Sequence, residues 1–247
     1  MNYKFQINPF YKSFLEFLLN IQNNFQNNNK TIHKARNEIK IIPYQNINNV
    51  VKSFKIPNII NKIAYTFFRD SKAKKSYFYA LKLEKYTPKP IGYIEFYKKG
   101  LLNKSFFISE KFNYNFTIRE PLLDSNFKNR IEFFKAFARF TLELHNNNIF
   151  HDDYSPGNIL IQKNSSGYIF KIVDINRMKF ITLNSDMRAK NFAKLWADDE
   201  ILEIIADEYC KDYSCHQNFK QKVIYHSNKN KKIKNFKKRL KGKPVND

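Results

Sequence analysis

Glycine is the residue this 247-residue chain has least use for: only Gly92, Gly100, Gly157, Gly167 and Gly242 occur. With none before residue 92, the N-terminal third holds no Gly-rich phosphate loop of the G-x-x-x-x-G-K or G-x-G-x-x-G kind, which excludes P-loop and Rossmann architectures. Cysteine is as scarce. Cys210 and Cys215 have no second Cys or His pair to complete a zinc site and read as two free thiols. No stretch approaches the ~18 apolar residues of a membrane-spanning helix, and the opening MNYKFQINPFYKSF carries charge where a secretory leader is apolar. A cytoplasmic protein, free or peripheral on a membrane, is expected. Negative charge is also thin: 22 Asp and Glu face 44 Lys and Arg, a net +22. Between Asp212 and Asp247 no acid occurs, while Lys220, Lys222, Lys229, Lys231, Lys232, Lys234, Lys237, Lys238, Arg239, Lys241 and Lys243 accumulate. That tail is either a solvated run or a phosphate-seeking surface for nucleic acid, anionic lipid or a phosphorylated glycan, and its sign does not choose.

What is present is apolar. Hydrophobic residues make up 43% of the chain and aromatics 17%, too much for a disordered polyelectrolyte, and the length suits one or two domains. Asn8-Pro9 starts a helix along which Phe10, Phe14, Phe17, Leu18 and Ile21 recur. A turn follows from Asn23 to Lys30, then strand-like segments around Ile32 and Ile39 to Ile42, and a strand from Asn48 to Ile56 that anchors Lys52. Asp70 to Tyr86 reads as a helix ended by Pro88 and Pro90, and Ile91 to Tyr97 and Ser105 to Phe112 read as strands. Asn126 to Asn148 is a long helix with Phe127, Ile131, Phe134, Ala138, Leu142 and His145 as its stripe. Short strands at Ile159–Ile161 and Ile169–Val173 and a helical region from Ser185 to Tyr209 complete the order.

Reactive residues concentrate in IFHDDYSPGN, residues 149–158, after the long helix. His151-x-Asp153-x-x-x-x-Asn158 precedes Asp174 at the end of an apolar strand. A carboxylate to orient an acceptor hydroxyl, and oxygen ligands for Mg²⁺, are what phosphoryl transfer requires. Each piece alone is weak, because Asp and Asn are common turn formers. Their joint order, strand lysine, helix, H-x-D-x-x-x-x-N, then strand and Asp, is far more specific.

These residues resemble the protein-kinase fold, whose catalytic loop reads H-R-D-x-x-x-x-N. Closer still is the bacterial lipopolysaccharide core kinase family, the kinases of heptose and of 3-deoxy-D-manno-octulosonic acid (Kdo). The resembling segments are VVKSF (Val50–Phe54), SKAKKSYFYALKL (Ser71–Leu83) with TPKPIGYIE (Thr87–Glu95), LHNNNIFHDDYSPGNIL (Leu144–Leu160) and VDINRMKF (Val173–Phe180). The resemblance implies an α+β, two-lobed protein-kinase-like fold: a β-rich N-lobe with one inserted helix over residues 1–112, a small helical C-lobe over 113–219 and a basic tail over 220–247, with the active site in the cleft between the lobes. It also implies ATP and Mg²⁺ as cofactors. Asp153 is then the catalytic base, Asn158 and Asp174 the metal ligands, Lys52 a contact to ATP phosphates, and Ser109, Glu110 and Lys111 the adenine hinge. His151 supports the loop. Arg177 either contacts a substrate phosphate or braces the loop. The acceptor implied is a sugar hydroxyl of the lipopolysaccharide core or of Kdo-bearing lipid A, at the cytoplasmic face of the inner membrane, with the basic tail on the anionic surface. Nucleic acid is not expected as partner: aromatics interleaved with Lys could stack bases, but Phe and Tyr are abundant throughout the chain, so that pattern has little force.

Several positions depart from the kinase pattern. Asp152 replaces the Arg of H-R-D, which removes the cation that pairs with a phosphorylated activation loop. Val-Asp-Ile-Asn replaces D-F-G, and no Gly loop covers the nucleotide, its place falling near Asn27–Lys30. The inserted helix offers Phe78 where an acid is expected for Lys52, with Glu84 the only other carboxylate after Asp70. Two alternatives follow: a kinase for another small molecule or a protein, and a non-catalytic pseudokinase or anion-binding protein. His145 is a buried hydrogen-bonder rather than a base, and Trp196 is helix core rather than a ligand platform.

Overall fold

Apolar residues alternating through the first half of the chain build one antiparallel sheet. The computed structural model describes residues 2–34, 37–214 and 218–245, in two compact units. Met1–Asn113 with Asp174–Asn176 form the first, and Tyr114–Val173 with Arg177–Asp247 the second. Asp174 therefore clusters, with Ile175 and Asn176, in the unit of the strand lysine, apart from the flanking Val173 and Arg177.

The first unit runs β1 (Asn2–Ile7), α1 (Leu15–Leu19), α2 (Ile21–Asn27), β2 (Thr31–Lys34), β3 (Glu38–Tyr44), β4 (Ile47–Ser53), α3 (Ile59–Ile63), α4 (Lys72–Leu83), β5 (Pro90–Lys98) and β6 (Leu101–Glu110). The sheet order is β1-β5-β6-β4-β3-β2. On one face Phe14, Phe17, Leu18, Ile21 and Phe25 pack with Ile42, Val51, Ile91, Ile94, Phe106 and Ile108. A second cluster joins α4 to the sheet through Phe54, Ala73, Tyr77 and Tyr93. Ser71 caps α4 by accepting from the Lys74 N–H at 3.1 Å, and Glu84, at φ 46°, ends it.

Three expectations fail in this unit. The helix read from Asn8 is a 3₁₀ turn, Pro9–Phe14, then α1 and α2. Tyr11 leaves helical geometry there and Phe10 is 93% exposed rather than on the stripe. Helix continues through Asn23–Asn27, where a turn was expected. The segment Asn27–Lys30 does not lie between two strands: it leads from α2 into β2, with the Asn28 carbonyl accepting from the buried Lys40 Nζ at 2.8 Å. Strand β2 ends at Lys34 and β3 begins at Glu38; residues 35 and 36 lie outside the described residues. Strand β1 and helix α3 have no counterpart in the sequence reading.

The second unit contains β7 (Phe116–Thr117), α5 (Arg119–Leu123), α6 (Arg130–Asn146), β8 (Ile149–His151), β9 (Ile159–Asn164), β10 (Gly167–Ile172), β11 (Met178–Phe180), α7 (Ser185–Asn191), α8 (Asp199–Tyr209) and α9 (Phe219–Arg239). Helix α6 starts only at Arg130, because Asn129 is left-handed at φ 60°. Its buried stripe is Phe133, Phe134, Phe137, Ala138, Thr141, Leu142 and His145, so Ile131, 54% exposed, is not part of it. Residues 220–247, expected as a tail, lie largely in α9. Phe219, Val223 and Ser227 of α9 are buried, and Asn230 and Lys231 donate to the carbonyls of Ala193 and Ala197, each at 2.8 Å. Trp196 is half-exposed with Lys238 Nζ 5.6 Å over its ring, which places it outside the helix core. Cys210 is disulfide-bonded, so the free-thiol reading does not hold for it; Cys215 lies outside the described residues.

Candidate active site

In the first unit the site is built on β4. Val51 faces the core, so its neighbour Lys52 points to the other face of the strand. Its side chain is mostly buried, and its Nζ donates to Asp174 Oδ1 at 2.8 Å across 122 positions of sequence. Asn176 Nδ2 donates to the same oxygen at 2.5 Å. Asp174 itself is held left-handed, φ 56°, a conformation Asp tolerates better than most residues. The Phe54 ring lies 5.3 Å from Lys52 Nζ. Helix α4 supplies no glutamate, and the buried residues it brings to the cluster with Phe54 are Ala73 and Tyr77. The expected hinge residues sit at the end of β6. Ser109 is buried between β4 and β5, the Glu110 N–H donates to Lys89 O at 2.9 Å, and the Lys111 N–H to Asn48 O at 2.8 Å. Both donors are consumed within the sheet. Glu110 also accepts from Tyr11 O–H at 2.5 Å, and burial, with that bond and the Glu110 charge adding to it, drives the phenol well above its ordinary range.

In the second unit the loop after β8 is folded on itself. The Asp153 N–H donates to His151 Nδ1 at 3.0 Å, and His151 Nε2 lies 3.0 Å from Val173 O. A carbonyl only accepts, so His151 is neutral and carries its proton on Nε2. Asp153 O accepts from the Ser155 N–H at 2.7 Å and from Asn158 Nδ2 at 2.9 Å. With its nitrogen committed to that carbonyl, Asn158 presents Oδ1 as its available ligand atom. Behind the loop runs a one-way chain of hydrogen bonds. Arg188 Nη1 donates to Tyr209 Oη (2.9 Å), whose O–H donates to His145 Nδ1 (2.8 Å). His145 Nε2–H then donates to Asn191 Oδ1 (2.9 Å), and Asn191 Nδ2 donates to His151 O (3.0 Å). Burial, with Arg188 adding to it, lowers His145 to about 4 against the opposing bond from Asn191.

Two lysines that sequence reasoning passed over reach this loop. Lys179 Nζ pairs with Asp152 at 3.0 Å. Lys194 Nζ donates to the Asp152 carbonyl and lies 3.6 Å from Asp153 Oδ1. An acid in place of the H-R-D arginine was the available signal that cations must come from elsewhere. Nothing local marks Lys194 or Asn191. Arg177 is exposed on the turn after Asp174.

The donor set suits a hard cation. Carboxylate and amide oxygens are Mg²⁺ ligands, and Mg²⁺ ordinarily takes only one or two protein oxygens beside phosphate and water. No cluster of three or more His, Cys, Asp or Glu able to hold a metal occurs among the described residues.

No family model matches the chain. A solved structure of WaaP in complex with acyl carrier protein superposes with a TM-score of 0.58, over 94% of this chain and 99% of that one, at 12% identity. The chain is similar to WaaP in fold. At that identity the likeness to WaaP shows an α+β, kinase-like fold and no more. It is one of 1241 solved chains that match, so the WaaP fold is widespread and does not by itself choose a substrate.

Proposed function

We propose that the protein is an ATP- and Mg²⁺-dependent kinase acting on a sugar hydroxyl of the lipopolysaccharide inner core, on Kdo or heptose. The observation that carries the kinase reading is the Lys52–Asp174 pair at 2.8 Å, which brings together the strand lysine and the aspartate that phosphoryl transfer needs around a nucleotide's phosphates. Mg-ATP supplies the γ-phosphoryl group and the charge-neutralising metal. Asp153 orients the acceptor hydroxyl and takes its proton as the new O–P bond forms and the bond from the γ-phosphorus to the β-phosphate oxygen breaks, releasing ADP. Asn158 and Asp174 are the oxygen ligands of the metal, and Lys52 is the point charge for the α- and β-phosphates. His151 keeps the loop in shape, Arg177 is placed for an anionic acceptor, and the segment Ser109–Lys111 borders the adenine, offering carbonyl acceptors since its N–H donors at 110 and 111 are used. The fold shared with WaaP and the resemblance of the loop and strand segments to lipopolysaccharide core kinases support the acceptor class. The basic α9 is the surface for anionic lipid, and the protein works peripherally on the inner membrane.

The test is transfer of labelled γ-phosphate from Mg-ATP to purified lipopolysaccharide core lipid. Labelling by the wild type that is lost in Asp153→Asn is the expected result. ATP binding without lipid labelling discards the acceptor and keeps the kinase. One observation favours a second reading: α4 carries no carboxylate toward Lys52. A non-catalytic protein follows if Mg-ATP does not bind at all.

A further inference from the structure

One helical segment of the first unit buries none of its own side chains. Helix α3 (Ile59–Ile63) continues into a π turn, Ala64–Phe68, and neither contains a buried residue. Ile59 is 61% exposed, Ile60 74%, Phe67 67% and Phe68 82%, and Ile56 and Ile63 are also exposed. Positions 59, 60 and 63 fall on one face of α3, and the exposed Phe67 and Phe68 follow it in the π turn. The segment is tied to the rest of its unit by polar contacts. Asn58 caps it by accepting from the Asn61 N–H at 3.0 Å, Thr66 Oγ1 accepts from the Leu102 N–H at 3.0 Å, and Lys62 reaches Asn103 at 3.5 Å. A helix this short does not persist on propensity, and the ordinary reason for an apolar stripe, burial against its own core, is missing here.

Charge identifies what covers the stripe. Lys55, Lys62, Arg69, Lys72, Lys74 and Lys75 flank it, and the one acid between residues 55 and 75, Asp70, is already paired with Lys74 at 2.7 Å. An aliphatic and phenylalanine face ringed by cations is the composition of an interfacial helix on anionic lipid. We propose that α3 and its π turn insert, parallel to the surface, into the headgroup and upper acyl layer of an anionic phospholipid bilayer. Ten residues are far too few to span, and no helix among the described residues is long and apolar enough to cross a membrane. The attachment deepens the membrane part of the function proposed above. It is apolar where that of α9 is electrostatic, so the two fail separately.

The experiment is flotation of the full-length protein with phosphatidylglycerol-containing vesicles and with pure phosphatidylcholine vesicles. Wild type is compared with Ile60→Ser/Phe67→Ser/Phe68→Ser and with Lys237→Gln/Lys238→Gln/Arg239→Gln. Partitioning of the wild type into anionic vesicles, reduced about tenfold or more by the apolar variant and still reduced at high salt, is the expected result. Because the replaced side chains are exposed, the unfolding midpoint of that variant stays at the wild-type value. A Phe68→Trp reporter shifts its emission to the blue and is quenched by brominated lipid. Partitioning of the apolar variant within about twofold of wild type overturns the proposal, and loss confined to the charge variant leaves only α9 as the attachment. Failure of the wild type to bind vesicles overturns it too and turns the search to a protein partner for this face.

Discussion

His145 gives the second unit a pH dependence that one substitution isolates. The side chain is fully buried, with Nδ1 accepting from Tyr209 and Nε2 donating to Asn191. A second proton would go on Nδ1, where it faces the Tyr209 oxygen that already accepts from Arg188, and it would add a buried cation beside that guanidinium. The folded value of about 4 lies below the unfolded 6.5, so between those two pH values the unfolded chain binds the proton and the folded chain does not. Stability from neutral His145 is therefore complete above pH 6.5, falls as the pH drops toward 4, and falls no further below that. At 1.36 kcal/mol per tenfold change in proton affinity, the complete loss is about 3 kcal/mol, of which about 2 kcal/mol has gone by pH 5. His145→Gln keeps a donor toward Asn191 and removes the titration. Urea unfolding of wild type and variant at pH 7, 6 and 5, followed by circular dichroism, measures the difference in slope. The wild type should lose about 2 kcal/mol more than the variant over that range. Parallel curves for the two proteins would refute the reasoning, since carboxylates titrate in both.

Two further outcomes follow from single contacts. A Cβ at Gly92 would lie 2.8 Å from the Gln6 carbonyl of β1, a backbone atom that cannot rotate away, so Gly92→Ala should cost about 1–3 kcal/mol in urea unfolding and raise amide exchange in β1 first. Unchanged exchange in β1 would show that the strand accommodates the methyl group. Lys52→Met removes a charge-assisted contact worth about 1.5–3 kcal/mol, so its Kd for Mg-ATP by calorimetry should rise roughly ten- to a hundredfold, with Asn176→Ala shifting it less. An unchanged Kd in Lys52→Met would remove that lysine from nucleotide binding.

The elements legible in the sequence are those whose burial leaves a period. Helices α4 and α6 and strands β3 to β6 each set an apolar face against a core, and that face was visible as spacing. Strand β1 and helix α3 were not, because almost all of β1 is exposed and α3 buries nothing, so neither carries a core-facing pattern. Phe10 and Ile131 misled for the converse reason: apolar residues at helical spacing need not be buried when the helix breaks at Tyr11 or begins only after a left-handed Asn129. Within the candidate site, the local run from His151 to Asn158 was readable because its parts lie in one loop. Asn191 and Lys194 were not, since each reaches the loop from 40 or more positions away, and Arg188 joins the support only through Tyr209.

Those distant side chains bear on how the loop is controlled. H-x-D loops with an arginine at the second position can be ordered by an added phosphate, because the cation waits for an anion to arrive. Here the sign is reversed: Asp152 is the anion, and its cation, Lys179, is built into β11 at 3.0 Å. Lys194 adds a donor to the Asp152 carbonyl and a positive charge 3.6 Å from Asp153. From behind, the uncharged chain through His145 and Asn191 fixes the carbonyl of His151. The contacts that hold the loop are thus supplied from within the chain, and none of them calls for an added phosphate.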